Sequence, residues 1–203
     1  MLCCDLTTIS VYTNNDIVKE NLNELNSNLI NLYLNSNLIN LNPVVSKNSN
    51  LFISYDGIDI NPKYENKLYI QLLTENTKKN PGFDSYIYND TSIDILHCLA
   101  IPGLIGLDLE DIRLAIKGKC LHCTKIHVNE KNINTICKRL IMKYKEIKPS
   151  LVIFKGGYGL TMSMIGRVLK SLNIYSCIAT ILDEKMMDKE MIVSLYVWLH
   201  EVN

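Results

Sequence analysis

The chain has 203 residues, 47% of them hydrophobic and 21% charged, enough apolar content for a buried core in one large domain or two small ones. Its 21 lysines and arginines balance 21 aspartates and glutamates, which removes the electrostatic case for nucleic acid or an anionic membrane surface as partner. No apolar run approaches about 18 residues, so no membrane span is expected. Cys3 and Cys4 stand in an N-terminus without the basic-then-apolar pattern of a leader, and without the basic patch or amphipathic helix that would favour acylation. Seven cysteines, an odd number, then point to reduced thiols in a cytosolic compartment.

In chain order, residues 6–13 predict a short β-branched strand. Asn14, Asn15 and Asp16 can cap a helix whose apolar face carries Ile17, Val18, Leu22, Leu25, Leu29 and Leu32 or Tyr33. Inside it, residues 25–32 (LNSNLINL) recur as residues 34–41. Two copies are too few for a solenoid, and asparagine is a poor helix former, so the reading is a local duplication whose second copy need not be helical. Pro43 ends it. Strands follow at 51–55 and 68–73, separated by the turn signal Asp56-Gly57-Ile58-Asp59. Residues 77–82 (TKKNPG) form the most loop-like stretch and the expected boundary. Asp90, Thr91 and Ser92 cap a short helix carrying Ile93, Leu96, Leu99 and Ala100.

Downstream the pattern sharpens. A helix is expected over about 108–117, a strand over 119–128, a helix over 130–147 stopped by Pro149, and an all-apolar strand at Leu151-Val152-Ile153-Phe154, as suits a central position. Lys155-Gly156-Gly157-Tyr158-Gly159 leads into a helix with Met162, Ile165, Val168, Leu169 and Leu172. Two strands, about 174–182 and 190–199, close the chain across the charged connection 183–189. The expected class is α/β (α+β): a mixed sheet of about four strands with helices in residues 91–203, behind a smaller N-terminal α+β region, 1–90, of uncertain fold.

Chemistry-bearing residues concentrate in three places. Asp108 and Asp111 lie three apart, after a Pro-Gly turn, where a helix begins; acids there suit the positive end of the helix dipole. Cys120, His122, Cys123 and His127, with His97 and Cys98 upstream, include a Cys-x-x-Cys half of many zinc sites. On a strand, however, residues 120 and 123 point to opposite faces, so buried thiols and imidazoles are the better account and no metal is expected. Gly156-Gly157-Tyr158-Gly159 could cradle a phosphate at a helix start, but a structural turn is the better account. Lys138, Arg139, Lys143, Lys145 and Lys148 read as a solvated face.

Four pieces resemble the C-terminal domain of FtsZ, the bacterial tubulin homologue of cell division. They are Ser92-Ile93-Asp94-Ile95-Leu96 through Pro102-Gly103-Leu104-Ile105; Leu107-Asp108-Leu109-Glu110-Asp111-Ile112; Leu151 to Leu160 with Gly156-Gly157; and Ile178-Ala179-Thr180-Ile181-Leu182-Asp183 with Met186 and Asp188. The piece from Leu107 to Ile112 resembles the family's catalytic loop with its two acids. Two positions depart: Gly106 stands where the family has Asn, and Gly159 where it has an acid. The larger departure is upstream, where residues 1–90 hold two glycines, Gly57 and Gly82, and no phosphate loop.

The resemblance implies a domain with the acidic loop but without the GTPase module. In the family the loop enters the neighbouring subunit's nucleotide site, and its acids assist attack on the γ-phosphate. The implied role here is a non-catalytic interaction or scaffold protein with no cofactor. Leu107, Asp108, Glu110 and Asp111 would then contact a protein partner, either a tubulin-like GTPase or a second copy. Two alternatives from other classes stand beside it: an adaptor in a secretion or pilus assembly reusing the fold, and one half of a split GTPase.

Overall fold

The computed structural model describes residues 9–14, 16, 19–25, 39–41, 49–55, 64, 66–74, 78–89, 93–100, 103–144 and 148–199. Among the described residues nine strands are formed: β1 (Ile9–Tyr12), β2 (Ile39–Leu41), β3 (Leu51–Ser54), β4 (Leu68–Leu73), β5 (Ser85–Tyr88), β6 (Cys120–Asn129), β7 (Pro149–Gly156), β8 (Cys177–Leu182) and β9 (Glu190–Trp198). The helices are α1 (Asp94–Ala100), α2 (Leu109–Ile116), α3 (Ile133–Tyr144) and α4 (Met162–Leu172); residues 19–25 are helical as well. The strands make one mixed sheet in the order β2-β1-β3-β4-β5-β6-β9-β7-β8. Pairing is parallel from β2 through to β6 and between β7 and β8, and β9 runs antiparallel to both β6 and β7.

Period-2 alternation distributes the core to both faces of this sheet. On β7, Leu151 and Ile153 turn to one face and Val152 and Phe154 to the other. The first face meets Leu22, Leu25, α1 (Ile95, Leu96) and α2 (Ile112, Ala115, Ile116). The second meets α3 through Ile133 and Cys137 and α4 through Met164, Ile165, Val168 and Leu172. The result is a mixed α/β sandwich of three layers, helices on both faces of the sheet. Local chemistry sets the ends of α4: the Thr161 hydroxyl accepts from Met164 N, and Asn173 takes a left-handed conformation that closes the last turn.

The expectation of about four strands matches residues 91–203 taken alone, where β6, β9, β7 and β8 are neighbours. Among the described residues the sheet has nine because β5 aligns three residues with β6: Tyr86 with Cys120, Ile87 with Leu121 and Tyr88 with His122. Neither β2 nor β5 is expected from the sequence. One is three residues of the asparagine-biased repeat and the other four residues between turn signals, both too short to give a period. Strands on both sides of residue 91 thus share one sheet and one apolar cluster, which runs from Ile9 to Tyr196. Cys3, Cys4, the turn 56–59 and most of the duplicated segment lie outside the described residues. Among the described residues no helix is long and apolar enough to cross a membrane.

Candidate functional site: an acidic loop fastened to the sheet edge

β8 is an edge strand, and unpaired edge groups must be covered or left to water. The chain ahead of α2 covers them. Thr180 N donates to Ile105 O at 2.9 Å, Ile105 N donates to Thr180 Oγ1 at 2.7 Å, and the same hydroxyl donates to Ile105 O at 3.2 Å. Gly103 makes this approach possible: a Cβ there would lie 2.1 Å from Thr180 O and 2.4 Å from its Oγ1. Cys177 Sγ adds a long contact to Asp111 O, at 3.9 Å.

From this anchor the loop turns into α2, and the two acids face each other. Asp108 is the N-cap, with extended backbone; its Oδ1 accepts from Asp111 N at 2.8 Å, and its own N donates to Asp111 Oδ2 at 3.1 Å. This is a reciprocal capping box with aspartate in the position that glutamate usually fills. One oxygen of each carboxylate is outside the box. Asp108 and Glu110 are exposed, Leu107 and Asp111 half-buried, and Leu107 packs on the first apolar cluster. Glu110 Oε2 lies 3.2 Å from Arg113 Nε, and Arg113 Nη2 donates to Asn66 O. Asp108→Ala should therefore lower stability by about 1 kcal/mol, while Asp108→Asn, which can still cap, should stay near wild type. Urea denaturation of the two variants checks this; equal losses would show that charge, not the cap, is what the position supplies.

The glycine-rich turn is the second fixed point. Asp183 N donates to Gly156 O at 2.8 Å, and a Cβ on Gly157 would stand 2.4 Å from Met186 O. The turn therefore seats against the 183–189 connection. Lys138, Arg139 and Lys148 are exposed.

The cysteine and histidine set divides two and two. On β6, whose register with β9 is unbroken from Leu121 to Asn129, Cys120 and His122 share one face and Cys123 and His127 the other. His122 is engaged on both ring nitrogens, by Asn89 Nδ2 at 2.8 Å and Thr124 Oγ1 at 3.3 Å, and Cys123 is buried. Among the described residues no group of three or more His, Cys, Asp or Glu is placed to hold a metal ion.

A polar cluster under α1 escapes the sequence reading. Asp94, buried at 4% exposure, meets Lys125 of β6 at 3.6 Å and the Ser194 hydroxyl of β9 at 3.4 Å. Beside it Lys155 of β7 pairs with Asp183 at 3.0 Å. Burial opposes charge on Asp183, but Lys155 and the Lys185 N–H outweigh it and hold the carboxyl below its ordinary range. His97 is held below the usual imidazole range by burial first and by Lys155 second, against the pull of Asp94, Asp183 and Glu24. Its Nδ1 is buried without a partner. Lys155, directly after four apolar strand residues, is the only local hint of this cluster.

No protein-family model matches this chain, and no curated protein matches it. Among solved structures it is similar to a mutant FtsZ of M. jannaschii at 11% sequence identity and a TM-score of 0.49, over 91% of this chain and 72% of that one.

Proposed function

We propose that the chain is a non-catalytic interaction protein that meets a tubulin-like partner through the loop Leu107, Asp108, Glu110 and Asp111, with residues 91–203 as the unit that carries the loop. The observation that carries this reading is the fastening of that loop to β8. A short segment held to the sheet by three hydrogen bonds with Thr180 shows its acids from a fixed position, which lowers the ordering cost of binding. The sequence pieces that resemble FtsZ support it further, since they are neighbours in space: Gly103 and Ile105 against Thr180, and 156–159 against 183–189. The reading needs no cofactor, metal or nucleic acid, and it fits a cytosolic protein.

A filament subunit has one face with a nucleotide pocket and another with the acidic loop. A chain with the loop and no pocket occupies one end and stops addition there, so it acts at low ratios to filament subunits. The test is light scattering and phosphate release with a tubulin-like GTPase from the same cell. The expected result is shorter filaments at substoichiometric ratio, with the Asp108→Asn/Asp111→Asn double variant losing any stimulation of hydrolysis. No tight GTP binding by the chain alone is expected, because residues 1–90 hold no glycine cluster. Unchanged filaments and unchanged hydrolysis at every ratio would discard this reading in favour of the adaptor.

A further inference from the structure

Charge on this chain is balanced only as an average. From Lys131 to Leu182 stand nine lysines and arginines and one carboxylate, that of Glu146; the rest of the chain has twelve against twenty. The whole-chain balance, which argues against an anionic surface as partner, conceals this separation. The fold gathers much of the basic stretch into one layer. α3 and α4 pack against each other over the second apolar cluster. Between them they hold five lysines and arginines and no aspartate or glutamate.

Helix period decides which of these residues turn outward. α3 gives Ile133, Ile136, Cys137 and Leu140 to the cluster. Thr135, Lys138 and Met142 then follow the opposite stripe, with Arg139 and Ile141 on its flanks. Lys138 and Arg139 are exposed, and so are two large apolar side chains beside them, Met142 at 73% and Ile141 at 42%. α4 buries Met164, Ile165, Val168 and Leu172 and leaves Lys170 exposed. Lys125, Lys155 and Lys189, outside this layer, each meet a carboxylate at 3.0–3.6 Å. Among the described residues Lys138, Arg139 and Lys170 meet none. Their neutralising charge has to come from outside the chain.

The mixture of side chains narrows what supplies it. The centre of a protein interface favours aromatic anchors and is poor in lysine, whereas the described side chains of these two helices include no aromatic ring. A nucleic acid matches the cations but finds no ring on which to stack a base, and it sets Ile141 and Met142 against phosphate. An anionic bilayer meets both parts: headgroup charge for the cations, and the acyl boundary for the apolar pair between them.

We propose that the α3–α4 layer is a docking surface for an anionic lipid membrane. Lys138, Arg139 and Lys170 lie among the headgroups, and Met142 and Ile141 reach the acyl boundary. α2 and its acidic loop belong to the layer on the other face of the sheet, so docking leaves them open. The surface is independent of that loop, and it stands or falls separately from the function proposed above.

The test is co-sedimentation of the full chain with vesicles of phosphatidylcholine alone and of equimolar phosphatidylcholine and phosphatidylglycerol, at low and at physiological salt. Three variants are compared: Lys138→Glu/Arg139→Glu, Met142→Ser, and Lys78→Glu/Lys117→Glu, which makes an equal change of net charge at exposed positions outside the layer. The expected result is binding to the anionic vesicles only, weaker as salt rises. Lys138→Glu/Arg139→Glu should lose about tenfold or more in affinity and Met142→Ser about threefold, both with thermal unfolding near wild type, while Lys78→Glu/Lys117→Glu stays close to wild type. Equal binding to neutral vesicles, undiminished binding by Lys138→Glu/Arg139→Glu, or an equal loss in Lys78→Glu/Lys117→Glu would each overturn the proposal. Binding to poly-glutamate or to duplex DNA with none to either vesicle would overturn it too, and would give the layer to another polyanion.

Discussion

Gly103→Ala should be among the most damaging single substitutions in this protein, although it adds one methyl group. The added carbon would stand 2.1 Å from the backbone oxygen of Thr180. That oxygen cannot retreat, because Thr180 is paired to Phe154 of β7 on one side and hydrogen-bonded to Ile105 on the other. The loop has to lift instead. Lifting it breaks the three Thr180–Ile105 hydrogen bonds and leaves Thr180, 1% exposed, with an unsatisfied N–H and hydroxyl. A loss of about 3–5 kcal/mol follows, against a total that for natural domains is about 5–15 kcal/mol. Gly106→Ala is the internal control, since a Cβ at Gly106 meets nothing within 4 Å. It should be neutral or mildly stabilising. Urea denaturation of the two variants side by side decides the matter, and equal midpoints would refute the account of the loop.

Phe154→Ala should cost about as much by a different route. Phe154 is fully buried in β7, between Val193 of β9 and Thr180 of β8, and it lies in the apolar cluster that seats α3 and α4. Truncation removes an aromatic ring and leaves a void that backbone pairing on both sides prevents from closing. Such changes cost about 3–5 kcal/mol. Met162→Ala, at the exposed start of α4 with 56% exposure, should remain within about 0.5 kcal/mol of wild type. A lowered midpoint with an unchanged denaturant slope is the expected signature; a changed slope would mean that packing around Phe154 also shapes the unfolded ensemble.

Much of this architecture is legible in the residues. Leu151 to Phe154, apolar without alternation, announces a strand covered on both faces, and the structure puts helices on both. Asp108 and Asp111, three apart at the start of an apolar period, announce a helix start, and they form its capping box. Alternation along β6 separates Cys120 from Cys123, as strand geometry requires. What is not legible is whatever depends on partners distant in the chain. Thr180 sits in a run of apolar strand residues, and nothing near it tells that its hydroxyl will bond a loop 75 residues earlier. Asp94, Lys125 and Ser194 come from three separate elements, and only the sheet order brings them together. β5 is hidden because four residues cannot establish a period, yet it joins β4 to β6.

The loop on β8 has a consequence for how this protein can change over generations. Residue 180 lies some 75 residues beyond 103 and 105, yet it is tied to them by a contact that a single carbon would close and by two hydrogen bonds that a single hydroxyl supplies. A larger residue at 103 can be inherited only alongside a displaced strand, and a valine at 180 only alongside a new acceptor for the Ile105 N–H. The three positions therefore drift as one locus. In a set of related chains, exchanges at 103 and 180 should arise together, whereas Gly106, with open space around it, should vary without regard to either.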